Sequence, residues 1–160
     1  MFIGIISDTH DDLPVVRKAV KFFNRKNVGH VIHAGDLISP FTIEVFKGLD
    51  CRFTGIFGNN DGDKLLLKDK SEGRIHNQPH IMTLHGRKIA LLHEPDVVNA
   101  LADSGHFDLV IYGHTHRPDV RTVKNTLIVN PGKASGLLKG RATVAVVDLD
   151  KMEAEIAEIK

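Results

Sequence analysis

The 160-residue chain has 21 basic and 20 acidic residues and a formal net charge of +1, without the basic excess of a general nucleic-acid or membrane-surface binder. No apolar run approaches the roughly 20 residues that a bilayer span needs. A single cysteine, Cys51, excludes an internal disulfide and a thiolate-rich zinc site. The length suits one domain over residues 1–160 with a real core. The opening "MFIGII" shows no basic n-region or cleavage site, which reads as a cytoplasmic protein.

Short apolar runs alternate with amphipathic ones. "FIGIIS" (2–7) reads as a buried strand. Residues 13–27 place Val16, Ala19, Val20 and Phe23 at helical spacing, with Asp12 as cap and Pro14 in the first turn. Strands are expected at 30–36 and 52–59, with short helices at 40–49 and 63–70. Phe22, Phe23, Phe41 and Phe46 read as core. The texture then changes. Residues 80–94 read as a hairpin turning at His85-Gly86-Arg87, 96–105 as a helix ended by Gly105, and 107–114 as a buried strand. Residues 119–132 read as a hairpin turning near Lys124-Asn125, and 142–150 and 153–160 as a last pair of strands. A βαβα first half and a mostly antiparallel second half point to a mixed α/β domain, with two sheets rather than one doubly wound sheet.

Chemistry-bearing residues recur at one place in this pattern. "FIGIIS" runs into Asp8 and His10, "HVIHAG" into Asp36, "RFTGIFG" into Asn59, Asn60 and Asp61, "KIALLH" ends on His93, and "DLVIYG" runs into His114 and His116. In open α/β sheets, sites form beyond the carboxyl ends of strands. Gly35, Gly58 and Gly113 each precede one of these residues, where a missing side chain permits close approach. Seven groups, Asp8, His10, Asp36, Asn59, His93, His114 and His116, are too many for one catalytic ion with an open position. They suit two ions sharing Asp36. Imidazole, carboxylate and amide oxygen together suit Mn or Ni, with Fe, Co, Zn or Mg as alternatives.

Asp8-x-His10, Gly35-Asp36, Gly58-Asn59, His93 and Gly113-His114-x-His116 resemble, in order and spacing, the motifs of the calcineurin-like metallophosphoesterases. The likeness spans residues 1–132, including "NPG" at 130–132, and the short length resembles the small single-domain prokaryotic phosphodiesterases of that superfamily. The resemblance implies a four-layer αββα sandwich of two mixed sheets flanked by helices. It implies one divalent ion on Asp8, His10, Asp36 and His116, and a second on Asp36, Asn59, His93 and His114. It also implies hydrolysis of a small phosphodiester by a metal-bound hydroxide, and it makes a homodimer unsurprising. Asp36, Asn60 and His114 are the candidates nearest the chemistry. Asn59, Asn60 and Arg117 are the candidates for substrate contact.

Two positions depart from the family pattern. Asn60 stands where many members have a histidine that assists the leaving group, and a neutral amide cannot deliver a proton near pH 7. Glu94 stands where glycine is common; a carboxylate facing the site would favour singly charged diesters over doubly charged monoesters. Lys133, after "NPG", is a further candidate for phosphate. His30 and His33 read as packed or hydrogen-bonded, and Cys51 as a small packed residue. A phosphomonoesterase, or a protein-binding scaffold like the retromer subunit of this superfamily, are the alternatives.

Overall fold

The computed structural model describes all 160 residues. Chain order is β1 (Phe2–Ile6), α1 (Leu13–Arg25), β2 (His30–His33), α2 (Pro40–Phe46), β3 (Arg52–Ile56), α3 (Lys64–Lys70), β4 (Ile75–His76), β5 (His80–Leu84), β6 (Arg87–Leu91), α4 (Val98–Asp103), β7 (Leu109–Ile111), β8 (Pro118–Val123), β9 (Thr126–Pro131), β10 (Thr143–Asp148) and β11 (Glu153–Glu158). One sheet has the order β11-β10-β1-β2-β3-β4, the other β5-β6-β7-β9-β8.

Three apolar layers hold these sheets in four tiers. Val16, Ala19, Val20 and Phe23 of α1 and Ile43 and Phe46 of α2 pack with Ile6, Val31 and Phe53 on the outer face of the first sheet. Ile3, Ile5, Ile32 and Ile56 meet Ile89, Leu91, Leu109 and Ile111 between the sheets. Val98 and Ala102 of α4 cover Ala90, Val110 and Ile128 on the far side. The alternation of residues on β1, Ile6 outward and Ile3 and Ile5 inward, is the period-2 pattern of a strand buried on both faces. The architecture is the expected αββα sandwich. No helix is long and apolar enough to cross a membrane.

The structure corrects several sequence expectations. Most pairings of the second half are antiparallel as expected, β5–β6, β8–β9 and β10–β11, but β6, β7 and β9 run parallel at the centre of the second sheet. The final pair β10–β11 leaves that sheet and extends the first one through β1. β4 is two residues long, too short for a periodicity to register. Phe41 is 72% exposed, because α2 buries the face of Thr42, Ile43 and Phe46 and Phe41 lies off it. Asp12 does cap α1, accepting from the Val15 amide.

This topology places the carboxyl ends of the parallel strands β1, β2 and β3 and of β6, β7 and β9 at the loops that carry the candidate residues.

Candidate metal centre

The loops after β1 and β2 are bonded to one another along their length. The amides of Asp8, Thr9, His10 and Asp11 donate to the carbonyls of Gly35, Asp36 and Leu37. Asp8, His10, Asp36, His114 and His116 all have positive φ, between 44° and 65°. Non-glycine residues seldom adopt this region, and such conformations persist only where their surroundings over-determine them.

Close approach is what the glycines provide. A Cβ on Gly58 would overlap Asp36 Oδ1 and the Asp36 amide. One on Gly113 would overlap Ser7 Oγ and lie against Asp8 Oδ2, and one on Gly35 would meet His93 Nδ1. Gly58 and Gly113 therefore let neighbouring loops touch the buried carboxylates of Asp36 and Asp8, and Gly35 lets the His93 ring in.

Two groups of side chains result. In the first, Asp8, His10 and His116 bring one donor atom each within 4.8 Å of one another. His116 Nε2 is 3.2 Å and His10 Nε2 3.9 Å from Asp8 Oδ1. In the second, Asp8, Asp36 and His93 converge to the same degree. His93 Nε2 lies 3.4 Å from Asp36 Oδ1 and 2.8 Å from Asn59 Oδ1, and His114 Nδ1 is 3.0 Å from the same Asn59 oxygen. Asp36 Oδ2 faces the first group, 3.8 Å from His10 Nε2. All seven candidate ligands lie in this one constellation.

The two central carboxylates have opposite electrostatics. Burial pushes the Asp8 carboxyl above the usual range, aided by Asp36 and opposed by His93 and His116. Burial also acts on Asp36, but hydrogen bonds from His93 and Asn60 outweigh it and hold Asp36 well below that range. Burial disfavours an imidazolium at His93; Asp36 and the Ala34 carbonyl overcome this and raise it to about 9. His93 Nδ1 lies 2.7 Å from the Ala34 carbonyl oxygen, which can only accept. A proton on Nδ1 leaves Nε2 facing Asp36 and Asn59.

Residues 1–152 match the calcineurin-like phosphoesterase superfamily domain. The chain belongs to that superfamily. It is 40% identical to a phosphodiesterase of Methanocaldococcus jannaschii over 159 residues, covering 96% of each chain. The solved structure of an archaeal phosphodiesterase superposes with a TM-score of 0.92 at 38% identity, over 99% of both chains. A zinc complex of Vps29 from Entamoeba histolytica superposes over the whole of both chains with a TM-score of 0.70 at 18% identity, a likeness of fold alone. As a calcineurin-like phosphoesterase, the chain is a hydrolase.

The remaining candidates stand in different relations to this centre. Arg117 is exposed, and its side chain makes no hydrogen bond or ion pair to any of the seven. Lys133 is 3% exposed and turns inward, its Nζ donating to the carbonyls of Ser135 and Gly140, so it is neither a solvated lysine nor free to meet phosphate. Asn60 is exposed, yet its amide turns back onto Asp36, with Nδ2 2.7 Å from Oδ2. Glu94 accepts from Gln78 Nε2. His33 is fully buried, between Thr9 Oγ1 and the Gly35 amide.

The supporting roles of three residues were not apparent from the sequence. Asp61 accepts from the amides of Asp36 (3.1 Å), Ile38 (2.7 Å) and Gly58 (2.7 Å), tying the β2 loop to the β3 loop. Asn130 donates to the Gly113 carbonyl and Thr115 Oγ1 and accepts from the Gly132 amide, so the "NPG" segment buttresses the His114 loop. Gln78 accepts from the His93 amide. Asp61 and Asn130 sit within motifs that the sequence displayed. Gln78 lies in the link between the sheets, where nothing local marks it.

Proposed function

We propose that this chain is a divalent-metal-dependent phosphodiesterase whose seven candidate ligands hold two ions with Asp36 between them. One observation carries the reading: Asp8 Oδ1 and His10 Nε2 are buried and lack any hydrogen-bond partner, although they lie in a group of possible ligand atoms. A buried polar atom without a partner is costly, and a cation between Asp8, His10 and His116 removes that cost. The donor set of carboxylate, imidazole and amide oxygen fits Mn or Ni, and admits Fe, Co, Zn or Mg. When bound, two such ions supply charge neutralisation at phosphoryl oxygens and a lowered pKa for water.

The protein side chains divide the remaining work. Asp8, His10 and His116 hold one side, Asn59, His93 and His114 the other. His114 and Asn59 stand exposed at the mouth, where a phosphate group meets them first. The Ala34 carbonyl keeps the His93 proton on Nδ1. Asn60 supplies no proton, since its amide is neutral and already donates to Asp36. Leaving groups that depart without protonation are therefore favoured. The diester preference rests on the 40% identical phosphodiesterase. In this reading the chain works as one domain, in the cytoplasm, on a small phosphodiester.

The test is hydrolysis of bis-p-nitrophenyl phosphate and p-nitrophenyl phosphate by metal-stripped protein, with Mn, Ni, Zn or Mg added back and Asp36→Ala as control. Metal-dependent cleavage that favours the diester and vanishes in the variant is expected. Dominant monoester cleavage overturns the substrate class. No bound ion and no activity with any metal overturns the enzyme reading in favour of a scaffold.

A further inference from the structure

Asn60 donates to both oxygens of a single carboxylate. Its backbone amide is 2.9 Å from Asp36 Oδ1, and its side-chain Nδ2 is 2.7 Å from Asp36 Oδ2. Asp36 is 1% exposed. Its two oxygens face different rings: Oδ1 lies 3.4 Å from His93 Nε2, and Oδ2 lies 3.8 Å from His10 Nε2. A carboxylate rotates readily about its terminal torsion, which has a broad profile. Two donors from one residue, one on each oxygen, remove that freedom.

We infer that Asn60 is a positioning residue that fixes the plane of the Asp36 carboxylate, so that one oxygen addresses the His93 side and the other the His10 side of the centre, and thereby sets its affinity for divalent ions. This rests on the two-ion reading above. Each carboxylate oxygen has two lone-pair directions. Asn60 takes one on each and leaves one on each for a cation, so the clamp and the ions do not compete. The amide is suited to this task as an imidazole is not. It is compact, it cannot become a cation among the ligands, and its donor sits one short side chain away from a backbone donor that serves the same carboxylate. Asn60 is itself exposed, so packing does not explain its orientation. A role in the leaving group's departure does not explain it either, because the amide points at Asp36.

The experiment is calorimetric titration of Mn²⁺ into metal-stripped wild type, Asn60→Ala and Asn60→Leu, with thermal melts of the three metal-free proteins. Both variants keep the backbone donor and lose the side-chain one; leucine also keeps the bulk. Partners of metal ligands are typically worth 10–100-fold in affinity. Both variants are expected to bind Mn²⁺ about 10–100-fold more weakly, at both binding steps, with metal-free melting temperatures close to wild type. Weakening at both steps distinguishes a defect in the shared residue from one confined to either side. If the alanine variant fails to fold, the leucine variant carries the test. Wild-type affinity in both variants overturns the clamp while leaving the metal reading intact. Loss in alanine but not in leucine also overturns it, since bulk and not the donor would then matter. Failure of the wild type to bind any ion overturns the metal reading itself.

Discussion

Gln78 reaches from the link between the two sheets to His93, its Oε1 accepting the His93 backbone amide at 2.6 Å. The pairing of β5 with β6 ends at His80 and Leu91, so the strand ladder offers His93 no acceptor on that side. The side chain extends the ladder. Its Nε2 donates in turn to Glu94, so one residue fixes both the first candidate ligand of the second sheet and the carboxylate beside it.

Replacing Gln78 therefore acts on the centre without changing any candidate ligand side chain. Gln78→Ala leaves the His93 amide without its acceptor and is expected to weaken Mn²⁺ binding about 10–100-fold, measured by calorimetry. Gln78→Glu retains an acceptor but sets a second carboxylate against Glu94. Glu94→Gln should leave the ratio of monoester to diester cleavage unchanged, because Glu94 is engaged by Gln78 and does not stand free toward substrate. A ratio that rises in Glu94→Gln would restore the electrostatic role that its position in sequence suggested.

Asp61 offers a graded test of how the two loops are held. Alanine strands three backbone amides, those of Asp36, Ile38 and Gly58, and hydrogen bonds to a charged group are worth about 1.5–3 kcal/mol each. Ile38 has a φ of 87°, a strained value for a β-branched residue, and its amide is one of the three. Asparagine can turn its oxygen toward the Asp36 and Gly58 amides and lose only Ile38. Urea denaturation should rank wild type above Asp61→Asn and Asp61→Asn above Asp61→Ala, with alanine costing at least about 3 kcal/mol. Equal stability of the two variants would mean that the amides find other partners.

The candidate ligands were legible in the sequence because they occupy one recurrent position, the end of an apolar run. Asp8, Asp36, Asn59 and His114 could be lined up before any strand pairing was known. Sheet order was not legible. β10 joins the first sheet by pairing with β1, Phe2 against Asp148 through Ile5 against Ala145, a contact between distant parts of the chain that no local pattern encodes. The direction of long side chains was hidden for the same reason. Lys133 turns inward because the carbonyls of Ser135 and Gly140 surround it, and Gln78 matters only because β5 stops where it does. Phe41 shows the limit of composition: its residue type suggests core, but the buried face of α2 passes it by.

The glycines before the candidate ligands can be tested one at a time. Gly58 has an ordinary φ, so alanine there meets no conformational penalty; what it meets is Asp36. The added methyl overlaps both the Asp36 amide and Oδ1, the oxygen nearest His93. Gly58→Ala is expected to abolish metal-dependent hydrolysis. Gly62, four residues on, has open space around its Cβ position, and Gly62→Ala should retain full activity. If Gly58→Ala is as active as Gly62→Ala, the loops are not packed as closely as the centre requires.

His33 supplies a pH dependence that comes chiefly from burial in the fold. Its ring is buried beneath the centre, and burial, with smaller contributions from His93 and His10 against an opposing one from Asp36, lowers it from 6.5 to about 3. The folded chain thus keeps His33 neutral where the unfolded chain protonates it. Between pH 6.5 and about 3 the unfolded state binds the extra proton, so stability is fully present above 6.5 and declines as pH falls, by up to about 1.4 kcal/mol per pH unit. His33→Gln removes this titration while leaving an amide able to face Thr9 Oγ1 and the Gly35 amide. Urea unfolding of the metal-free proteins at intervals between pH 8 and 5 should show a shallower acid decline in the variant than in wild type. Parallel declines would mean that His33 takes up its proton in the folded state at an ordinary pH, and that its ring is not shut away as its burial requires.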